Sequence, residues 1–334
     1  MLAALPFPVV RPVRPLAPQV RGPRPTTPPA LLLVGHGTRC LPGEQQFQAF
    51  VARVTARLAR RGVDATGGLI ELAPPPVTDA ASDLVARGHH DVIAVPLMLV
   101  AAGHAKGDIP AALDRETQRF PGLRYRYAAV LGPDPLVLAA LTERLADALP
   151  AHERAGAYVV LVGRGSTDPD ANSEVARAAR LLFEDATRRG APLGGVEPAF
   201  VSLADPGIPA ALERCRLLGA KRVVVLPLFM FTGVLPRRIV SQAEQWAAQH
   251  RELTVSCADV IGDCDLLAQA VEQRYLEAVA GPVRAGCDTC MYRVALPGFE
   301  DRVGRPQTPH DHPDDPVSHS HSHSHSPAAD LPRR

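Results

Sequence analysis

The segment LLVGHGTR at residues 32–39 recurs as VLVGRGST at residues 160–167. Two further pairs of segments recur in the same order: IELAPP at 70–75 with VSLADP at 201–206, and VIAVPLM at 92–98 with VVVLPLF at 223–229. The offsets between partners are 128, 131 and 131 residues, so order and spacing hold over the length of a whole domain. Self-similarity at a nearly fixed offset predicts two homologous domains.

Within the first repeat, short apolar runs alternate with longer segments of helical periodicity. The apolar runs predict strands at 30–34, 66–72, 91–100 and 124–129, and the periodic segments predict helices at 44–61, 77–87, 109–120 and 135–149. This alternation is typical of a parallel sheet with helices on both faces. We therefore predict an α/β fold of two homologous domains, each a parallel four-stranded sheet flanked by helices, with a cleft between them.

Composition predicts the boundaries of these domains. Residues 1–29 form a Pro- and Arg-rich leader, predicted to be disordered and without the apolar core of a signal peptide. The first domain is assigned to residues 30–149, the degenerate repeat to 157–281 and a flexible tail to 282–334. Without a signal peptide, we expect a cytoplasmic protein whose six cysteines are thiols or metal ligands rather than disulfides.

Charge and hydropathy exclude two broad classes of function. The chain of 334 residues has 36 Lys and Arg against 35 Asp and Glu, a formal charge of +1. This balance argues against a general nucleic-acid-binding protein, which would show a basic excess. No apolar run reaches the roughly 18 residues that a membrane span requires. We expect neither nucleic acid nor membrane as a partner.

Three titratable residues follow predicted strands of the first repeat: His36, Glu71 and His104. Ligands of open α/β sheets bind at the carboxyl ends of the strands, and these ends meet along one edge. Two imidazoles and a carboxylate suit a divalent ion such as cobalt, nickel, zinc or iron(II). They suit proton transfer near neutral pH equally well.

The second repeat supplies an internal control for this hypothesis. Arg164, Ser202 and, approximately, Val234 stand at the three equivalent positions, while the flanking glycines persist. The alternative is that the three residues of the first repeat are ordinary hydrogen-bonded residues at strand ends. Because the fold forms without them in the second repeat, their joint loss favours a single functional site.

The glycine-rich loops predict no nucleotide site. Neither copy completes the G-x-G-x-x-G spacing of a dinucleotide site, and the P-loop lysine is missing. Nearby polar side chains could instead bind carboxylates of an acidic ligand, although solvated surface residues are the alternative. These candidates are Thr38, Arg39, Lys106, Arg164 and Ser166.

Four segments of the first repeat resemble the class II chelatases that load metal into sirohydrochlorin: GHGTR at 35–39, ELAP at 71–74, PLML at 96–99 and GHAKGDIP at 103–110. PLFMFTGVL at 227–235 resembles the degenerate half of the long, two-domain cobaltochelatases. The resemblance implies insertion of Co²⁺ into sirohydrochlorin, a planar tetrapyrrole rich in carboxylates, in cobalamin biosynthesis. His36 and His104 would bind the metal and accept two pyrrole protons, with support from Glu71.

The segment after residue 281 carries two further metal signals. Cys287 and Cys290 form a C-x-x-C motif that resembles the extension of long cobaltochelatases, which is associated with an iron–sulfur cluster. However, Ala285 stands where the family has Met, and two thiolates are half of the usual four ligands. A cluster shared across a dimer or a two-Cys zinc or cobalt site are alternatives. Six histidines predict metal storage or delivery, unless they are a purification tag: His310, His312, His319, His321, His323 and His325.

Several alternatives stay open at this point. Two His and a Glu do not select among metals, so a ferrochelatase for siroheme or a nickel-inserting enzyme is the nearest rival. A non-enzymatic metal buffer would use the His-rich tail alone, and a metal-free binding module would use the glycine loops. Both a monomer and a homodimer stay open. The net charge of the chain is near zero. If the substrate is anionic, we therefore expect positively charged residues to be concentrated at the cleft.

Overall fold

A computed structural model of the chain describes residues 27–281 and 300–305. The first repeat contains β1 Ala30–Gly35, α1 Leu41–Ala59, β2 Ala65–Leu69, α2 Val77–Ala86, β3 Asp91–Pro96, α3 Ile109–Arg119, β4 Arg124–Tyr127 and α4 Pro135–Ala148. A π-helix at His104–Asp108 leads directly into α3. The four predicted strands and four predicted helices of this repeat are therefore present, with shifted ends.

The second repeat follows the same order. It contains β5 Tyr158–Gly163, α5 Pro169–Arg188, β6 Gly195–Phe200, α6 Ile208–Leu217, β7 Arg222–Pro227, α7 Val234–Gln249, β8 Thr254–Cys257 and α8 Asp265–Ala280. Short 3-10 helices lie at Ala151–Glu153, between the repeats, and at Glu300–Arg302. The C-x-x-C motif, the His-rich tail and most of the predicted leader lie outside the described residues.

The two repeats form two parallel sheets of identical topology. The strand orders are β2-β1-β3-β4 and β6-β5-β7-β8, and every pairing within them is parallel. Leu33 of β1 lies between Gly67 and Val95, and its counterpart Leu161 of β5 lies between Pro198 and Leu226. The α/β fold with two homologous parallel sheets is confirmed.

Three strands of the first repeat, β2, β3 and β4, are shorter than predicted, and the ends of β3 and β2 bear on the site. The sequence predicts a strand to residue 100, but β3 ends at Pro96, whose ring removes a ladder donor. The predicted strand 66–72 ends at Leu69, because the chain then turns and Leu72 takes a positive φ of 68°. Apolar character continues past both strand ends since the residues that follow line the cleft described below.

The last helix of each repeat packs against the other repeat. Helix α8 contacts α1 and β3, and α4 contacts α5 and β7. Polar contacts support this exchange: Arg57 and Arg61 of α1 pair with Glu272 of α8, and Arg274 Nη2 lies 3.0 Å from Asp134 Oδ2. The boundaries at 149 and 157 thus mark the repeats in the sequence, but the folded repeats share one hydrophobic core.

The apolar segments of the chain are too short or too interrupted for a bilayer. Among the residues that the structure describes, no helix has the length and hydropathy needed to cross a membrane.

Candidate metal site in the cleft between the repeats

His36, Glu71 and His104 meet at the carboxyl edge of the first sheet. His36 Nε2 lies 3.1 Å from His104 Nε2 and 3.2 Å from Glu71 Oε1. One ligand atom from each residue lies within 4.8 Å of the others. Across residues 27–281 and 300–305, no other group of three His, Cys, Asp or Glu side chains has this arrangement.

A close approach of two loops brings His36 and Glu71 together. The amide of Glu71 donates to the carbonyl of His36 at 3.1 Å, which continues the pairing of β1 and β2 past the strand ends. Gly37 has a φ of 107°, and a Cβ atom there would lie 1.8 Å from the backbone oxygen of Glu71. Only glycine fits this conformation and this contact, so the G-H-G motif is a requirement of loop packing.

His104 is held by the π-helix and by a residue that sequence reasoning missed. Only 8% of His104 is exposed, and its Nδ1 lies 2.6 Å from Asp108 Oδ2. A carboxylate behind a metal-ligating imidazole fixes the orientation of the ring. Asp108 lies four residues after His104 in the sequence. This spacing predicts contact between the two side chains only if a helix begins at His104.

The hydrogen bonds fix the orientation of both imidazole lone pairs. Asp108 and the carbonyl of Gly37 accept from Nδ1 of His104 and His36, the latter at 3.1 Å, so both Nε2 atoms carry a lone pair. Two lone pairs 3.1 Å apart need a cation or an extra proton between them. Ligand nitrogens about 2.1 Å from one ion lie about 3.0–3.4 Å apart at tetrahedral or octahedral angles. The observed spacing therefore fits a shared divalent ion.

His36 and His104 line a cleft between the two repeats, and Glu71 lies next to them through its contact with His36. The cavity of this cleft has a volume of about 360 Å³, and residues of both repeats line it. Much of the lining is apolar, including Leu69, Leu97, Leu99, Leu228 and Phe231. This shape and chemistry suit a large ligand with an apolar face.

The charged residues along this lining carry only a small excess of positive charge. Among the lining residues, the cations are Arg39 and Arg164, against one carboxylate, Glu44. Burial lowers the pKa of Arg164 to about 10, although the charge of Glu71 opposes this shift. An anionic ligand would thus place its carboxylates toward solvent rather than against a basic wall.

Four of the five candidate carboxylate contacts line the cleft, and Lys106 does not. Thr38, Arg39, Arg164 and Ser166 are lining residues. Lys106 Nζ lies instead 2.7 Å from Asp168 Oδ2 and 2.9 Å from Asp170 Oδ2. Lys106 therefore ties the π-helix to the start of α5, a partnership across the repeats that local sequence cannot indicate.

The second repeat keeps the loop geometry of the site without its donors. Gly165 has a φ of 88°, and a Cβ there would lie 1.7 Å from the oxygen of Ser202. The amide of Ser202 donates to the carbonyl of Arg164 at 3.0 Å, as Glu71 does to His36. Arg164, Ser202 and Val234 all line the cleft, so the second repeat forms its opposite wall.

Fold and donor set together define a class of protein: a doubled α/β protein with a candidate metal site at the cleft between its repeats. A family model described as CbiX matches residues 30–148 and again residues 158–278. The chain belongs to this family of class II chelatases, with two copies of its domain.

Relatives with curated functions include both cobalt and iron enzymes. Sirohydrochlorin cobaltochelatase of Priestia megaterium is 34% identical over 276 residues, which cover 80% of this chain and 85% of that protein. Sirohydrochlorin ferrochelatase of Bacillus subtilis is 30% identical over 227 residues, covering 68% and 84%. The solved structure of SirB from Bacillus subtilis with Fe³⁺ is 29% identical, has a TM-score of 0.65, and covers 76% of this chain and 96% of that one.

Proposed function

We propose that this chain inserts Co²⁺ into sirohydrochlorin, as a cobaltochelatase of cobalamin biosynthesis. The observation that carries the proposal is the His36, Glu71 and His104 cluster, which opens into a largely apolar cleft. The relatives with cobaltochelatase and ferrochelatase activity support sirohydrochlorin as the substrate. Two repeats of the family domain support the long, two-domain form of the enzyme.

The geometry supports a sequence of proton and metal transfers. Nε2 of His36 and of His104 bind the incoming ion, while Asp108 keeps the His104 proton on Nδ1. As the ion moves into the macrocycle, the two Nε2 lone pairs become available and accept the two pyrrole protons. Glu71, 3.2 Å from His36 Nε2, passes protons from His36 to solvent because its side chain is exposed.

The choice of cobalt rests on the relatives rather than on the donor set. Two imidazoles and a carboxylate also bind Fe²⁺ and Ni²⁺, and metal supply in the cell decides between such ions. The cobaltochelatase of Priestia megaterium matches over 80% of this chain, against 68% for the ferrochelatase of Bacillus subtilis. Iron insertion for siroheme is therefore the second candidate.

An absorbance assay of sirohydrochlorin with Co²⁺, Fe²⁺ and Ni²⁺, run side by side, tests this function. We expect catalysed insertion of Co²⁺ at a higher kcat/KM than of either other ion. A preference for Fe²⁺ would reassign the enzyme to siroheme synthesis. Rates no faster than the spontaneous reaction with all three ions would refute chelatase activity.

The C-terminal segment is proposed to hold metal for the site. Tethered imidazoles would raise the metal concentration near the cleft without any new contact in the fold. Removing residues 304–334 should leave turnover intact at saturating Co²⁺ and lower it at limiting Co²⁺. A protein that acts only as a metal buffer would lose its function entirely in this variant.

A cluster at Cys287 and Cys290 is a separate proposal. The motif supplies two thiolates, so a cluster would take its remaining ligands from elsewhere, for example from a second copy in a homodimer. No step of metal insertion depends on it. Absorbance and electron paramagnetic resonance spectra of anaerobically purified protein would detect such a cluster, and a Cys287→Ser variant would remove it.

A further inference from the structure

Two leucines at equivalent positions of the repeats share an unfavourable backbone conformation. Leu72 has a φ of 68° and Leu203 a φ of 60°, and among the described residues they alone combine a positive φ with a side chain. The amide of Ala73 donates to the oxygen of Glu71 at 2.9 Å, and that of Ala204 to Ser202 at 2.8 Å. Each leucine is thus the central residue of a γ-turn, in the rare form that carries strain.

Neither backbone preference nor burial accounts for leucine at these positions. Glycine or asparagine adopts a positive φ at lower cost than a branched side chain. Each leucine is 37% exposed, so each leaves apolar surface in water. Both side chains line the cleft, beside Glu71 and its counterpart Ser202.

The repeats show that this turn is not retained only to hold a catalytic carboxylate. The second repeat has Ser202 in place of Glu71, and yet it keeps both the leucine and the turn. The feature common to both copies is an apolar side chain at the cleft. Strained backbone concentrates at functional sites, where it serves a contact that a relaxed residue would not make.

We propose that Leu72 and Leu203 bind the apolar face of the tetrapyrrole, one from each repeat, and hold its central nitrogens next to His36 and His104. This inference rests on the proposed function. The largely apolar lining with its small net charge fits the proposal, because apolar contact would recognise the ring while most of its carboxylates face solvent. Removal of both exposed leucine surfaces from water would supply the binding free energy.

Substitution by asparagine separates binding from folding. Leu72→Asn, Leu203→Asn and the double variant would be made in the full-length chain. Thermal unfolding and titration of metal-free sirohydrochlorin, followed by absorbance, would then be measured. We expect an unchanged or higher Tm, because asparagine relieves the strain, and a Kd raised about tenfold by each substitution. Leu72→Met, which keeps the apolar contact, should bind as the wild type does.

A matched control and three outcomes make the test decisive. Leu217→Asn removes a leucine that is 71% exposed at the end of α6 and does not line the cleft, so its Kd should stay unchanged. If the wild type binds and metallates sirohydrochlorin but the two asparagine variants bind equally well, this inference fails alone. A lower Tm together with weaker binding would assign the leucines a structural role and also overturn it. If the wild type does not bind sirohydrochlorin, the proposed function fails.

Discussion

The two repeats share a backbone and differ in the chemistry placed on it. Both have the 2-1-3-4 strand order. In both, a glycine, Gly37 or Gly165, contacts the loop after the second strand, and a leucine in that loop has a positive φ. The first repeat carries His36, Glu71 and His104, whereas the second carries Arg164, Ser202 and Val234. The fold therefore does not require the three donors, and their convergence in one copy supports the proposed metal site.

The two repeats form the two walls of the cleft, and they differ in the residues that they contribute to it. In the proposed function, the first repeat holds the ion and moves protons. The second contributes the half-buried guanidinium of Arg164, which interacts with the charge of Glu71, and apolar surface, and its α8 completes the core of the first repeat. Because the helices are exchanged, neither repeat has a complete core without the other.

Removal of a donor should have the largest effect on activity. His104→Ala is expected to lower the rate of metal insertion by about 10²–10⁴-fold, because it removes a metal ligand and a proton acceptor together. The matched control is His89→Ala, which removes a histidine of the same repeat that pairs with Asp64 outside the cleft. Insertion kinetics with both variants, alongside circular dichroism, check this expectation. Normal turnover by His104→Ala would contradict the site.

Breaking the ion pairs between the repeats should have the largest effect on stability. Lys106→Met leaves Asp168 and Asp170, which are nearly buried, without their ammonium partner. Loss of one partner of a buried pair typically lowers the free energy of unfolding by about 3–5 kcal/mol. Arg180→Met breaks an exposed pair with Glu184 and should cost at most about 1 kcal/mol. Equal losses in urea unfolding would show that the buried pairs do not join the repeats.

Alanine at the two matched glycines should affect stability equally and activity unequally. Gly37→Ala and Gly165→Ala both place a Cβ within 1.8 Å of a backbone oxygen at a positive φ. Each should lower the free energy of unfolding by about 1–3 kcal/mol or more. Only Gly37→Ala displaces His36 from Glu71, so only it should strongly reduce insertion by the folded protein. A similar loss of turnover in both variants would mean that the second repeat also does chemistry.

The carboxylate behind His104 should have the smallest of these effects. Asp108→Asn keeps the side-chain shape but removes the charge that fixes the imidazole proton on Nδ1. Metal affinity or turnover should fall by about 10–100-fold, as is typical for such outer partners. Asp114→Asn, whose partner is the Tyr125 hydroxyl outside the cleft, is the control. Isothermal titration with Co²⁺ compares the two, and equal affinities would remove Asp108 from the site.

The alternation of strands and helices, and the polar residues that follow the strands, could be predicted from the sequence. Strands that alternate with helices predict a parallel sheet, and the repeated segments predict a second one. His36, Glu71 and His104 could be grouped because parallel strand ends share one edge of a sheet. Helix ends were predicted within a few residues because glycines such as Gly62 and Gly88 follow them.

Features that depend on contacts between distant segments could not be read in this way. The exchange of α4 and α8 leaves no local signal, because an amphipathic helix packs on either sheet. The sequence predicts Lys106 as a ligand contact. Its actual partners, Asp168 and Asp170, lie more than 60 positions away in the chain, so local sequence does not reveal them. Asp108 became recognisable only when the π-helix placed it behind the His104 ring.

Anomalous diffraction at the cobalt absorption edge, from crystals of the full chain soaked in Co²⁺, tests the central claim most directly. We predict a peak about 2.0–2.2 Å from Nε2 of His36, Nε2 of His104 and a carboxylate oxygen of Glu71, with no peak beside Arg164 and Ser202. A peak at the second-repeat position, or none between His36 and His104, would contradict the assignment of metal handling to the first repeat.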